Sequence, residues 1–273
     1  MSPSVRPLVL VRGAGDLATG VIARLSRAGF LVAALEMERP TAIRRTVALS
    51  EAMYEGEAEV EGVRARQVVG VGELLDLVEP GVVPILADPA CSSLRAIAPM
   101  VLVDAIIAKR NLGTSIAMAP IVVALGPGFA AGVDAHAVVE TNRGHDLGRV
   151  LTAGSAEPDT GVPGIIGGFG AERVVHAQVA GRVETLRGIG DLVEAGDELL
   201  RIVGTEGRVA VGTPIRGVLR GLIRPGTEVP SGLKIADVDP RCSREHCFSI
   251  SDKARAIAGG VLEAVLALGG RPT

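Results

Sequence analysis

Hydrophobic and polar positions change period several times along this chain, and each change predicts an element. LVLVRGAGDLATGVIARLSRAGFLVAALEM (8–37) runs from a continuous apolar stretch through a glycine turn into helical spacing, then into a second apolar stretch. That order predicts strand, turn, helix, strand. TVALSEAMYEGEAEVEGVRARQV (46–68) reads as short strands around a small helical piece, and VGELLDLVEP (71–80) as a helix ending at proline. VVPILAD (82–88), PMVLVDAIIA (99–108) and APIVVALGP (119–127) are continuous Val/Ile/Leu runs, the pattern of parallel strands buried on both faces. DAHAVVET (134–141) alternates more and fits an edge or antiparallel strand. These runs predict a Rossmann-like parallel sheet domain over 1–170, closing in the Gly/Pro-rich linker 154–170.

Beyond the linker the pattern repeats. Gly181, Leu186, Gly190, Val193 and Gly196 recur 36 residues later as Gly217, Leu222, Gly226, Val229 and Gly232. Two similar β-hairpin halves closing a small sandwich are expected over 171–240, an all-β module similar to the barrel-sandwich of biotinyl and lipoyl carriers. Residues 200–216 contain no lysine to carry a prosthetic arm, so docking or dimerisation is the expected role. SDKARAIAGGVLEAVLAL (251–268) starts with a Ser/Asp cap and keeps Ile257, Val261, Leu262, Val265 and Leu266 at helical spacing. It predicts, within a third segment 241–273, an amphipathic C-terminal helix packing back on the first domain.

The first turn carries chemistry. Gly13, Gly15 and Ala18 fit the G-x-G-x-x-G/A fingerprint of a dinucleotide-binding unit. Gly13 permits the turn, Gly15 admits a phosphate to the helix N-terminus, and Ala18 allows close helix–strand packing. Glu36, at the end of the next strand, stands where an acid accepts hydrogen bonds from a ribose. Asp16 puts a carboxylate where the phosphate would sit. The alternative is a Rossmann-like fold whose Asp16 caps its own helix and which binds no dinucleotide.

Composition narrows the classes. With 48% hydrophobic and 22% charged residues the chain is soluble and globular, and a net charge of −3 excludes an electrostatic footprint for nucleic acid or an anionic membrane. Apart from Lys109, Lys234 and Lys253, every basic residue other than histidine is arginine. No Trp and one Tyr leave little for stacking bases. Cys91, Cys242 and Cys247 form no disulfide framework, residues 1–11 do not read as a signal peptide, and the apolar runs are too short to cross a bilayer. A cytoplasmic protein is expected.

The densest polar cluster runs from Asp104 to Arg149: Lys109, Arg110 and Asn111, the turn Gly126–Gly128, then Asp134, His136, Glu140, Arg143, His145, Asp146 and Arg149. Lys109 fits either a phosphate contact or a surface charge. Arg143 and Arg149 suit phosphate or carboxylate, and His136, Glu140, His145 and Asp146 are candidate acid–base residues. The alternative is a solvated loop of ordinary ion pairs. No metal is expected; Cys242, His246 and Cys247 supply three soft ligands where zinc takes four.

RGAGDLATG (12–20), ERPTAIRRTVALSEAMYEG (38–56), VDAIIAKRNLGT (103–114), ALGPGFAAGVDAHAVVETNRGHDLGR (124–149), DVDPR (237–241) and ISDKARAIAGGVLEA (250–264) together resemble one family. It comprises the accessory proteins of selenium-dependent molybdenum hydroxylase systems, related to xanthine dehydrogenase accessory proteins that handle the molybdenum cofactor. The resemblance spans nearly the whole chain. It implies a maturation factor partnered with a molybdenum hydroxylase or its maturation machinery. With the glycine turn, the leading expectation is a Rossmann-like domain that binds a nucleotide-bearing cofactor such as NAD(P) or the pterin dinucleotide, in a chain expected to form a homo-oligomer. A free-standing NAD(P)-dependent oxidoreductase and a non-catalytic scaffold are the other readings. The resemblance carries over no catalytic residue, and whether the chain is an enzyme stays open.

Overall fold

The computed structural model describes residues 6–205 and 207–272 and divides into two compact units. One comprises Met1–Pro40, Ala48–Thr160 and Ile250–Thr273; the other comprises Thr41–Val47 and Gly161–Ser249.

The first unit holds β1 (Arg6–Arg12), α1 (Asp16–Arg27), β2 (Leu31–Glu36), α2 (Ala52–Glu55), β3 (Glu57–Val60), β4 (Val63–Val68), α3 (Val71–Leu77) and β5 (Val82–Ala87). It continues with α4 (Leu94–Ile97), β6 (Pro99–Asp104), β7 (Ile121–Leu125), β8 (Ala130–Ala131), β9 (Ala137–Val139), β10 (Val150–Leu151), β11 (Gly154–Ser155) and α5 (Asp252–Ala267). Among the described residues nine strands form one sheet, ordered β10-β9-β7-β6-β1-β2-β5-β4-β3. From β4 through β9 every neighbouring pair is parallel, and from β5 through β9 apolar side chains are buried on both faces.

Both edges correct the expected parallel sheet. At one edge β3 and β4 pair antiparallel through Glu61 and Gly62, whose positive φ values of 48° and 82° make a tight hairpin turn. At the other, β10 folds back antiparallel on β9. The expectation for 134–141 is revised too: β9 is parallel to β7, and β10 is the edge strand.

Helix α1 buries Val21, Ile22 and Leu25. It ends where Gly29, at φ +88°, lets its amide reach Ser26 O and the Phe30 amide reach Leu25 O. Helix α5 is capped by Ser251, whose hydroxyl accepts from the Ala254 amide at 3.2 Å. Its Ile257, Val261 and Val265 are buried, whereas Leu266 is exposed. α1 and α5 pack closely because Gly20 has no side chain: a Cβ there would stand 2.8 Å from that of Ala254.

The second unit contains β12 (Val174–His176), β13 (Gly181–Thr185), β14 (Leu192–Val193), β15 (Glu198–Gly204), β16 (Gly207–Gly212), β17 (Gly217–Leu222), β18 (Glu228–Val229) and β19 (Lys234–Asp239). They form two four-stranded sheets, β12-β19-β17-β14 and β16-β15-β13-β18. Leu199, Leu200, Ile202, Leu219 and Ile235 lie in the core between them. The expected pair of separate hairpin halves, and the biotinyl- or lipoyl-like module inferred from it, is corrected. β13 pairs with β15 of its own repeat and β18 of the other, while β17 pairs with β19 of its own and β14 of the other. Each sheet therefore draws on both repeats, and β12 and β16 widen the two sheets beyond the repeated strands.

Candidate functional site

The chain reverses its direction of travel across the sheet between β1 and β6, and crevices at such switch points open at the carboxyl ends of the strands. β1 ends there in Arg12, followed by the turn Gly13–Ala14–Gly15 at the head of α1. Gly13 has φ +96°, and a Cβ on it would press on the Ala105 carbonyl at 3.2 Å. Its amide donates to Leu35 O at 2.7 Å, and the Ala14 amide donates to Glu36 Oε2 at 2.7 Å. Glu36 Oε1 accepts from Met37 N, also at 2.7 Å. Burial pushes the Glu36 carboxyl up from its ordinary range, opposed by these two amides. Glu36 thus folds back to hold the glycine turn.

Gly15 differs from Gly13. Its φ is −65°, and a Cβ there would meet nothing within 4 Å. Asp16 turns its carboxylate to its own helix, Oδ1 accepting from Leu17 N at 2.9 Å. Ala18 is buried under the helix. The turn is buttressed from behind: Ala14 O accepts from Ser50 N at 2.9 Å, and Thr19 Oγ1 accepts from Leu49 N at 2.9 Å.

Three charged residues that end apolar strands organise this edge: Arg12 and Asp88, to which the sequence reading gave no role, and Asp104, read only as the start of the polar cluster. Arg12 and Asp104, both almost wholly buried, form an ion pair of 3.1 Å. Thr114 bridges them, its hydroxyl donating to Asp104 Oδ2 at 2.5 Å and accepting from Arg12. Arg12 Nη2 also donates to Pro89 O, so one guanidinium ties together the loops after β1, β5 and β6. Asp88 accepts from the amides and hydroxyls of both Ser92 and Ser93. Burial alone would raise its carboxyl, but these donors hold it below the usual range. Cys91 lies beside Arg12; burial pushes its thiol up to about 11 despite that positive charge, which describes a protonated, unreactive thiol. The signal available in the sequence was a lone charge closing each apolar run: Arg12, Asp88 and Asp104.

The polar residues of 104–149 are dispersed. His136 lies at the amino end of β9, where its Nδ1 accepts from Val122 N at 3.0 Å. Glu140 lies at the other end of the strand, and its carboxylate accepts from the amides of Thr141, Asn142 and Glu157 at 2.6–2.7 Å. It clamps a loop. His145 is exposed, Asp146 pairs with Arg149 at 3.2 Å, and Arg143 makes a two-point ion pair with Asp252 of α5. Lys109, at φ +62°, reaches Asp159 at 2.7 Å. Gly126 receives Thr141 against it, and Gly128 receives the Arg110 backbone, 2.5 Å from where a Cβ would lie. Lys109, Gly126 and Gly128 follow β6 and β7 at the carboxyl edge; His136 does not share it.

In the second unit Cys247 is buried with Sγ 3.8 Å from Leu219 O, and Cys242 Sγ lies 3.4 Å from Pro240 O. His246 holds a buried Nδ1 without a hydrogen-bond partner. Among the described residues no group of three or more His, Cys, Asp or Glu side chains is placed to hold a metal, and no helix is long and apolar enough to cross a membrane.

No family model matches the sequence. The uncharacterized protein YqeB of Escherichia coli strain K12 is 50% identical over 266 residues, covering 97% of this chain and 48% of that protein. The chain thus spans about half the length of the curated relative it matches. Similar solved structures include the apo ectoine utilization protein EutE of Ruegeria pomeroyi (13% identity, 86% of each chain, TM-score 0.28). Others are a succinylglutamate desuccinylase from Silicibacter sp. TM1040 (12% identity, 85% of this chain and 84% of that one, TM-score 0.27) and a succinylglutamate desuccinylase/aspartoacylase from Rhodobacter sphaeroides (16%, 86% and 85%, TM-score 0.27).

These findings correct the resemblance drawn from motifs. The matched structures are aspartoacylase and succinylglutamate desuccinylase relatives, so the molybdenum hydroxylase accessory family is set aside. With it go the maturation role, the hydroxylase partner, and the selenium and molybdenum-cofactor assignments. TM-scores of 0.28 and below carry no activity to this chain, and none is transferred.

Proposed function

We propose that the α/β unit binds a small phosphate-bearing molecule at the carboxyl edge of its sheet, with the phosphate at the N-terminus of α1. The observation that carries this reading is Gly15. Gly13 is demanded by its own backbone and by Ala105, whereas nothing inside the chain requires a glycine at 15. Space kept at the head of a 12-residue helix suits an anion approaching the backbone closely. Gly13 and Ala18 shape the turn, Glu36 retains lone pairs for a ligand hydroxyl, and Lys109 in the loop after β6 can exchange Asp159 for a phosphate. Gly126 and Gly128 keep the neighbouring loops close packed. Arg143 stands further out, engaged with Asp252. The assigned role is binding. Three unpaired cysteines accord with a cytoplasmic setting.

The test is calorimetry of the full chain with pyrophosphate, ATP and NAD, beside Gly15→Asp. Asp is a favourable N-cap at this φ, so the variant is expected to keep its melting temperature. Its carboxylate would occupy the phosphate position, and binding of the preferred probe should fall at least about a hundredfold, or roughly 3 kcal/mol. Undiminished binding by Gly15→Asp, or no binding of any probe by the parent chain, overturns the reading.

A further inference from the structure

A cavity lies on the helical face of the same unit, away from the glycine turn. It has a volume of about 350 Å³ and is lined by Arg24, Arg27 and Ala28 of α1, by Arg255 and Leu262 of α5, and by Gly20 at the helix crossing. One carboxylate already pairs with two of these arginines. Glu61, in the β3–β4 turn, takes Arg255 on Oε1 at 2.7 Å and Arg27 on Oε2 at 3.2 Å, and Oε1 also accepts from Ile250 N at 2.9 Å. Arg27 further donates to the Glu61 carbonyl at 2.6 Å. The Arg24 guanidinium has no hydrogen-bond or ion-pair partner among the described residues. Three guanidinium groups therefore line a space large enough for a small molecule, and two of them share one carboxylate.

We infer that this cavity is a second binding site, selective for a small dianion such as a phosphate monoester or a short dicarboxylate. Guanidinium groups suit planar or tetrahedral oxyanions, and Glu61 shows that the cluster already holds a carboxylate, with Arg255 on one oxygen and Arg27 on the other. Arg24 supplies the uncommitted charge, while Leu262, Ala28 and Gly20 offer an apolar wall to the rest of the ligand. Glu61 competes with the incoming anion for Arg27 and Arg255.

That competition gives the test a sign that structural disruption does not reproduce. Inorganic phosphate, malonate and acetate are titrated into the full chain and followed by NMR of the arginine side chains. Phosphate or malonate is expected to saturate in the millimolar range and acetate to bind much more weakly. Arg24→Ala should weaken binding about tenfold, Glu61→Gln should tighten it severalfold, and Gly15→Asp should leave it unchanged. Preference for phosphate or for malonate would tell the two oxyanion sources apart. No saturable binding, equal binding of acetate, or weaker binding in Glu61→Gln would each overturn the inference. Because Gly15 belongs to the other site, failure here leaves the glycine-turn reading standing.

Discussion

Arg12 leaves the end of β1 with its charge enclosed, answered by Asp104, Thr114 and the Pro89 carbonyl. Removing one partner of such a pair strands the other charge away from water, whereas replacing both with apolar side chains removes the problem. Arg12→Met is expected to cost about 3–4 kcal/mol in urea unfolding, and Arg12→Met with Asp104→Leu clearly less than the sum of the two single changes. Additive losses would show that the two residues act separately. This pair also marks the limit of reading residues one at a time. Gly13, Gly15 and Glu36 stand at fixed offsets within one β-α-β unit, so a motif finds them. Arg12 and Asp104 are 92 positions apart, and only the pairing of β1 with β6 makes them neighbours. Glu140 shows the opposite failure: its crowded polar surroundings suggested acid–base chemistry, yet its lone pairs hold three loop amides.

At the scale of elements, continuous Val/Ile/Leu runs were legible as buried parallel strands, and the cap of α5 could be read from Ser251. Strand partnership was harder. The 36-residue repeat describes similar strands but not which repeat each one pairs with, and alternation in 134–141 did not reveal a parallel neighbour. β19 carries the clearest pH response. Asp239, fully buried, accepts from Arg241 and Arg220. Burial alone would raise its carboxyl, but the Arg241 side chain and amide, helped by the Arg220 charge, hold it at about 2. A folded value below the unfolded one adds stability that is present above about pH 4 and lost as pH falls toward 2. That contribution is about 2 kcal/mol. In Asp239→Asn the second unit should lose about this much at pH 7 and show a flatter decline between pH 4 and 2, read from urea midpoints. An unchanged acid limb would place the dependence on other carboxylates.

At the scale of the molecule, the division of the chain does not follow sequence order. Composition and the Gly/Pro-rich stretch 154–170 suggest consecutive domains, but the second unit takes in Thr41–Val47 from far upstream. That short segment is tied to β17. Ile43 O accepts from Leu222 N at 2.7 Å, Arg45 Nε donates to Leu222 O at 2.8 Å, and the Ile43 side chain packs on the second core. Gly221 makes room for it, since a Cβ there would stand 3.2 Å from Ile43 Cδ1. No local pattern announces such a strap, because its energy comes from contacts some 180 residues away. Ile43→Ala in the full chain should therefore act on the second unit, costing about 1–2 kcal/mol for a partly buried side chain. Hydrogen exchange reads the consequence by location. Protection of Leu222, Ile223 and neighbouring β17 amides should fall by about tenfold, while the amides of β1, β6 and β7 keep theirs. An equal loss in both sets would show one cooperative core where the packing describes two.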